Sequence, residues 1–116
     1  MSDALTRQAW KAGVEITAGT DWVAPYDDPW PTLHHELAAL VKLGMPPAQV
    51  IRAATLNGAR AAGQDADMGS IQAGKLANLI VVARDPTADI EALKTLELTV
   101  KRGQEGDHGW PGQAGP

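Results

Sequence analysis

Cysteine is absent from the 116 residues, which excludes disulfides and thiolate metal sites and is compatible with a reducing compartment. Phenylalanine is absent too, and four Trp and one Tyr are the whole aromatic supply. Ala, Leu and Val must therefore do most of the packing, which makes a thin core for this length. Basic residues are outnumbered: 10 Lys and Arg face 14 Asp and Glu, for a formal net charge of -4. With no basic block, a nucleic-acid partner is not expected. No apolar run approaches the ~20 residues of a bilayer span, and the first residues carry no signal-peptide core. The expectation is a soluble, cytoplasmic chain with no membrane partner, sized for one modest domain or a piece of a larger one.

What is present is organised around residues 15–21. Val14, Ile16 and Ala18 alternate with Glu15 and Thr17, the period of a strand. Gly19 permits a backbone turn after it. Asp21 is then delivered just past the strand's C-terminal end, where parallel α/β architectures place their chemistry. The plain alternative for Asp21 is an Asx turn or a helix N-cap.

Before that strand, Ser2 or Asp3 can cap a helix over residues 4–11, with Gly13 as its stop. After it, residues 22–31 hold Pro25, Pro29, Pro31, Asp27 and Asp28, which prevent regular structure. Trp22, Tyr26 and Trp30 lie in this loop. Trp22 and Tyr26 either wall a substrate pocket or merely cover the end of the sheet. Leu33, Leu37, Leu40 and Val41 then form a helical stripe that Gly44 ends. Pro47 opens a further helix at its first position, carrying Val50, Ile51 and Ala54. Residues 55–58 interrupt it, and 59–62 resume. Residues 79–82 and 96–101 read as strands, with one helical turn at 90–94 between them. Residues 104–116 are expected to be a disordered, Gly-rich tail.

In order, the chain carries Ala18-Gly19-Thr20-Asp21, then Leu33-His34-His35-Glu36-Leu37, then Ala53-Ala54-Thr55-Leu56-Asn57. Last comes Gly69-Ser70-Ile71-Gln72-Ala73-Gly74-Lys75-Leu76-Ala77-Asn78-Leu79-Ile80-Val81-Val82. Each piece alone is weak, but the ordered set, over roughly residues 4–103, resembles the C-terminal part of the metal-dependent amidohydrolase superfamily. Its closest flavour is the imidazolonepropionase-like branch, which includes Xaa-Pro dipeptidase-like members. Asn78 stands where that family usually has Asp, Gly58 where Pro usually follows Asn, and Pro46 where a capping Thr is usual.

The resemblance implies an α/β fold: the C-terminal fragment of a (β/α)8 TIM barrel, with part of the small β-sandwich that both chain ends build. Residues 1–66 would be the last barrel strand and its helices, and residues 67–103 part of the sandwich. Asp21 would be a metal ligand and the proton shuttle of a hydrolase acting on amide, cyclic amide or dipeptide-like C–N bonds. The implied cofactor is a divalent metal, zinc first, one or two ions in the parent. The family's His-x-His pair, bridging Lys or Glu and two further histidines are not in this chain, so tight metal binding and activity are not expected of it alone. Trp22, Tyr26 and His34 are the candidate substrate-pocket residues. His34 and His35 are adjacent and point about 100° apart on a helix, which suits two directions better than one ion. His108 falls in the tail, and Glu36 reads as a first-turn carboxylate favoured by the helix dipole.

The expected partners are a small amide-type substrate in the parent enzyme, and either the missing N-terminal barrel segment or a second copy of the chain. The competing expectation, from another class, is a non-catalytic α/β module or interaction protein derived from a barrel end.

Overall fold

Five of the six residues at the centre of the core, Leu37, Leu40, Leu43, Met45 and Val50, lie within one helical hairpin, and Ile90 joins them from further along the chain. The structure, a computed structural model, describes residues 3–19 and 32–106. Its elements are α1 (Asp3–Lys11), α2 (Thr32–Lys42), α3 (Pro47–Ala54), α4 (Leu56–Ala61), β1 (Leu79–Val82), a 3-10 helix (Ile90–Lys94), β2 (Leu96–Lys101) and β3 (Gln104–Gly106).

The helices begin and end where local chemistry directs. Asp3 sits in the first turn of α1 and Lys11 in its last, each at the pole of the dipole that suits its charge. At the end of α2, Gly44 N–H donates to the Val41 carbonyl at 3.0 Å and Met45 N–H to the Leu40 carbonyl at 3.3 Å. That pair of bonds is a Schellman cap, and its φ of 113° at Gly44 is one a side chain would resist. Gly13 closes α1 with the same pair of bonds. Pro47 occupies the first turn of α3, where no N–H is needed.

The break between α3 and α4 is one residue wide, not the four expected. Thr55 departs to φ -120°, ψ -87°, and its hydroxyl donates to the Ile51 carbonyl at 2.8 Å, a back-bond that competes with the helix ladder. Helix resumes at Leu56, so Asn57 becomes a helical residue with its side chain buried. Gly69 lies against this break. Its φ is +100°, and a Cβ there would sit 2.6 Å from the Ala59 Cβ and 3.1 Å from the Leu56 Cα.

Residues 14–18, read as a strand, form no ladder among the described residues. A ladder needs a second extended segment alongside, and helices lie there instead. Ala18 N–H donates to the Ala53 carbonyl at 3.0 Å and Asn57 Nδ2 donates to the Ile16 carbonyl at 2.9 Å. The alternation survives in the packing: Ile16 and Ala18 rest against the core, while Glu15 and Thr17 are exposed.

The sheet is three-stranded and antiparallel, in the order β1-β2-β3. β1 falls on the apolar β-prone run and β2 on the alternating one, both as expected. β3 was not expected: residues 104–106 had been read as tail, yet Lys101 pairs with Gln104 across a two-residue turn. Arg102 at φ 51° and Gly103 at φ 80° give that turn the positive-φ pair that suits strand twist. Asn78 Oδ1 accepts the Arg102 N–H at 2.9 Å, which gives this unusual Asn a task in the hairpin. The rest of the expected tail, 107–116, lies outside the described residues. The 3-10 helix joins sheet to helices, since its Ile90 and Leu93 pack on the core. No helix among the described residues is long and apolar enough to cross a membrane.

Candidate functional site

Of the residues singled out from the sequence, Asp21, Trp22 and Tyr26 lie outside the described residues, as do Trp30 and His108. The structure does show how the backbone leading to Asp21 is held. The Ala18 N–H is bonded to α3 and the Ile16 carbonyl to α4, and the last described residue of the segment is Gly19.

His34 and His35 both fall near the start of α2 and are half-buried. One residue on, Glu36 is half-buried as well. Its Oε2 is closed off from solvent and has no hydrogen-bond donor among the described residues. Burial pushes the Glu36 carboxyl above its ordinary value, and the neighbouring Gly19 backbone opposes that rise without cancelling it.

Glu36, expected as a first-turn carboxylate favoured by the helix dipole, lies past the first turn, because α2 starts at Thr32. The available signal was its phase: it lies three residues after Leu33 and four before Leu40, on the apolar side of α2. Gly19 also differs from expectation. Its φ is not in the left-handed region, and a Cβ there would meet no described atom within 4 Å. The turn expected at Gly19 is therefore not what calls for glycine.

Asn57 is the second polar side chain at the segment. It is only 8% exposed, and while its Nδ2 serves Ile16, its Oδ1 has no donor among the described residues. Arg60 and Glu15 add an exposed ion pair at 3.4 Å, of the kind worth about 0–1 kcal/mol. These contacts tie α4 to the same segment.

No group of three or more His, Asp or Glu side chains that could hold a metal ion occurs among the described residues. His34, His35 and Glu36 therefore do not make a metal centre by themselves. What the arrangement can do is hold one backbone segment, with Asp21 three residues beyond its last anchored amide, that of Ala18.

The Amidohydrolase family model matches residues 4–105. An imidazolonepropionase of Flavobacterium johnsoniae is 41% identical over 76 residues, which span 65% of this chain and 18% of that protein. An N-substituted formamide deformylase of Arthrobacter pascens is 32% identical over 106 residues, 81% of this chain and 20% of the other. Among solved structures, a Xaa-Pro dipeptidase with methionine bound in its active site superposes with a TM-score of 0.81 at 31% identity. That match covers 91% of this chain and 25% of the dipeptidase. The chain thus spans a quarter or less of the length of these relatives.

Proposed function

The chain belongs to the amidohydrolase family, and on that premise we propose that it is the C-terminal part of a metal-dependent hydrolase of C–N bonds. The observation that carries this reading is the held segment. Residues 16 and 18 are held by backbone and side-chain bonds to Ala53 and Asn57, and Asp21 is the nearest Asp beyond the end of that segment.

Asp21 is the proposed ligand and proton carrier. Asp is short, so a fixed backbone places its oxygens within a narrow range, which suits a group that must hold a proton at a defined point. A divalent cation, when bound, lowers the pKa of a coordinated water to about 7. The described residues supply no such centre on their own, so the remaining ligands of the proposed site come from outside them. Zinc is the proposed ion, and small amides, cyclic amides or dipeptides are the proposed substrates. Trp22, Tyr26 and His34 are proposed to border the pocket.

The packing supports a barrel end. Leu5, Val14 and Leu33 are 57%, 55% and 42% exposed, apolar area of the kind that a neighbouring strand or helix would cover. Metal removal tests the reading. In the complete hydrolase, a chelator should abolish turnover and added zinc restore it. The 116-residue chain alone should bind well under one equivalent of zinc. Turnover that survives chelation, or stoichiometric tight zinc on this chain alone, would overturn it.

A further inference from the structure

Asn57 and Gly58 follow one another in α4. Asn57 is buried, and its Nδ2 donates to the Ile16 carbonyl at 2.9 Å. Packing gives no reason for glycine at 58. Its φ lies outside the left-handed region, and a Cβ there would meet the Ala53 carbonyl oxygen at 3.9 Å and Thr17 Cγ2 at 4.0 Å, both ordinary contacts. What glycine does supply is a backbone N–H with no side chain beside it, directly after an Asn.

That pair carries its own chemistry. The Gly58 nitrogen can attack Asn57 Cγ and lose its proton to water, after which the Cγ–Nδ2 bond breaks and ammonia leaves. Water then opens the resulting cyclic imide at either carbonyl, which leaves aspartate or isoaspartate at position 57. One water is consumed and one ammonia released, with no oxidant or cofactor. Closed α4 prevents the attack, because helical backbone at Asn57 turns the Gly58 nitrogen away from Cγ and the side chain is held by Ile16. The helix must open first, and it is weakly defended. It has six residues and no side-chain cap at Thr55, well short of the ~12 residues that an isolated helix needs.

We propose that Asn57-Gly58 is a spontaneous deamidation site gated by the opening of α4, and that its conversion permanently unties α4 from segment 14–18. The product has lost the N–H that Ile16 accepts. Its carboxylate would return to a place where even the present Oδ1 has no donor among the described residues, and a buried unpaired charge is costly. Closing is then disfavoured, so the change runs one way. Asn78, the other Asn of the chain, differs on both counts. The branched side chain of Leu79 hinders ring closure there, and Asn78 serves the Arg102 N–H through Oδ1, an atom that deamidation keeps. The proposal does not depend on the role given to Asp21.

Peptide mapping by mass spectrometry tests it, on the 116-residue chain held at neutral pH beside a synthetic peptide of residues 53–62. Conversion at Asn57 in the chain should equal the peptide's rate multiplied by the open fraction of α4, which exchange of the Ala59 and Ala62 amides reports. Gly58→Ala should slow it about fivefold or more, since helix propensity alone lowers opening by about that factor. Gly58→Pro, with no N–H to lose, should stop imide formation.

The consequence is read separately. Asn57→Asp should speed exchange of the Ala18 amide about tenfold or more, the expected effect of a buried bond left unmade. Should that variant not fold, the converted fraction of the aged chain, separated by ion exchange, takes its place. A rate at Asn57 that ignores the open fraction as mild urea raises it would overturn the gating. Faster conversion at Asn78 than at Asn57, or Ala18 exchange unchanged in the product, would overturn the site and its effect.

Discussion

Asn57 Nδ2 donates to the Ile16 carbonyl at 2.9 Å, so α4 is bonded to the backbone segment that leads to Asp21. Glu36, on the first half of α2, is half-buried, and burial lifts its carboxyl above its ordinary value.

That shift has a definite sign in stability. With the folded-state pKa raised, Glu36 favours folding fully only below its unfolded pKa, and this contribution is lost as pH rises through the folded value. Glu36→Gln is neutral at every pH and keeps the size of the side chain. The difference in unfolding free energy, Gln variant minus wild type, should therefore grow in favour of Gln between about pH 4 and pH 7. Urea melts at the two pH values check this. A difference that shrinks would contradict the assigned shift.

Asp85 should behave in the opposite way. Its Oδ1 accepts the Thr87 N–H at 2.9 Å and the Thr87 hydroxyl at 2.6 Å, and these bonds hold its carboxyl below the ordinary 3.8. The resulting stabilisation is present above the unfolded pKa and is lost as pH falls through the folded one. Asp85→Ala should therefore be destabilising at neutral pH and indistinguishable from wild type in strong acid, as read from paired thermal melts.

Gly69 and Gly74 form a matched pair for the packing argument. Both have positive φ, +100° and +90°, but only at Gly69 would a Cβ meet neighbours, the Ala59 Cβ at 2.6 Å among them. Gly74→Ala should cost about 1–2 kcal/mol from the backbone alone. Gly69→Ala should cost about 2–5 kcal/mol, because overpacking against α4 adds about 1–3 kcal/mol. Equal costs in chemical denaturation would contradict the close approach.

Much of this was readable in the residues, and the exceptions have physical causes. β1, β2 and the turn at 90–94 were legible because strand alternation and the Asp85-Pro86 break are local signals. Gly44 and Pro47 were legible for the same reason. The strand expected at 14–18 has no pairing partner among the described residues, because pairing depends on a neighbour that a local pattern cannot supply. β3 was missed because its turn places Arg102, not Gly or Asn, at φ 51°. The partial burial of Glu36 is not legible because it depends on how α2 packs against the rest of the chain, which its neighbours in sequence do not specify.

Asn57 tests the hold on the segment. Removing its side chain by Asn57→Ala frees the Ile16 carbonyl and empties a buried site, which should cost about 1–3 kcal/mol. Thr17 and Ala18 amide exchange should rise together with the loss, whereas an exchange rise confined to α4 would show that Asn57 serves the helix alone.

The central claim is that Asp21 is the carboxylate this scaffold exists to hold. The most direct measurement is kcat for Asp21→Asn in the complete hydrolase, zinc-loaded and shown by circular dichroism to be folded. A loss of about 10³-fold or more is predicted, the scale of removing a central catalytic group. A folded Asp21→Asn enzyme within about tenfold of wild type would contradict it.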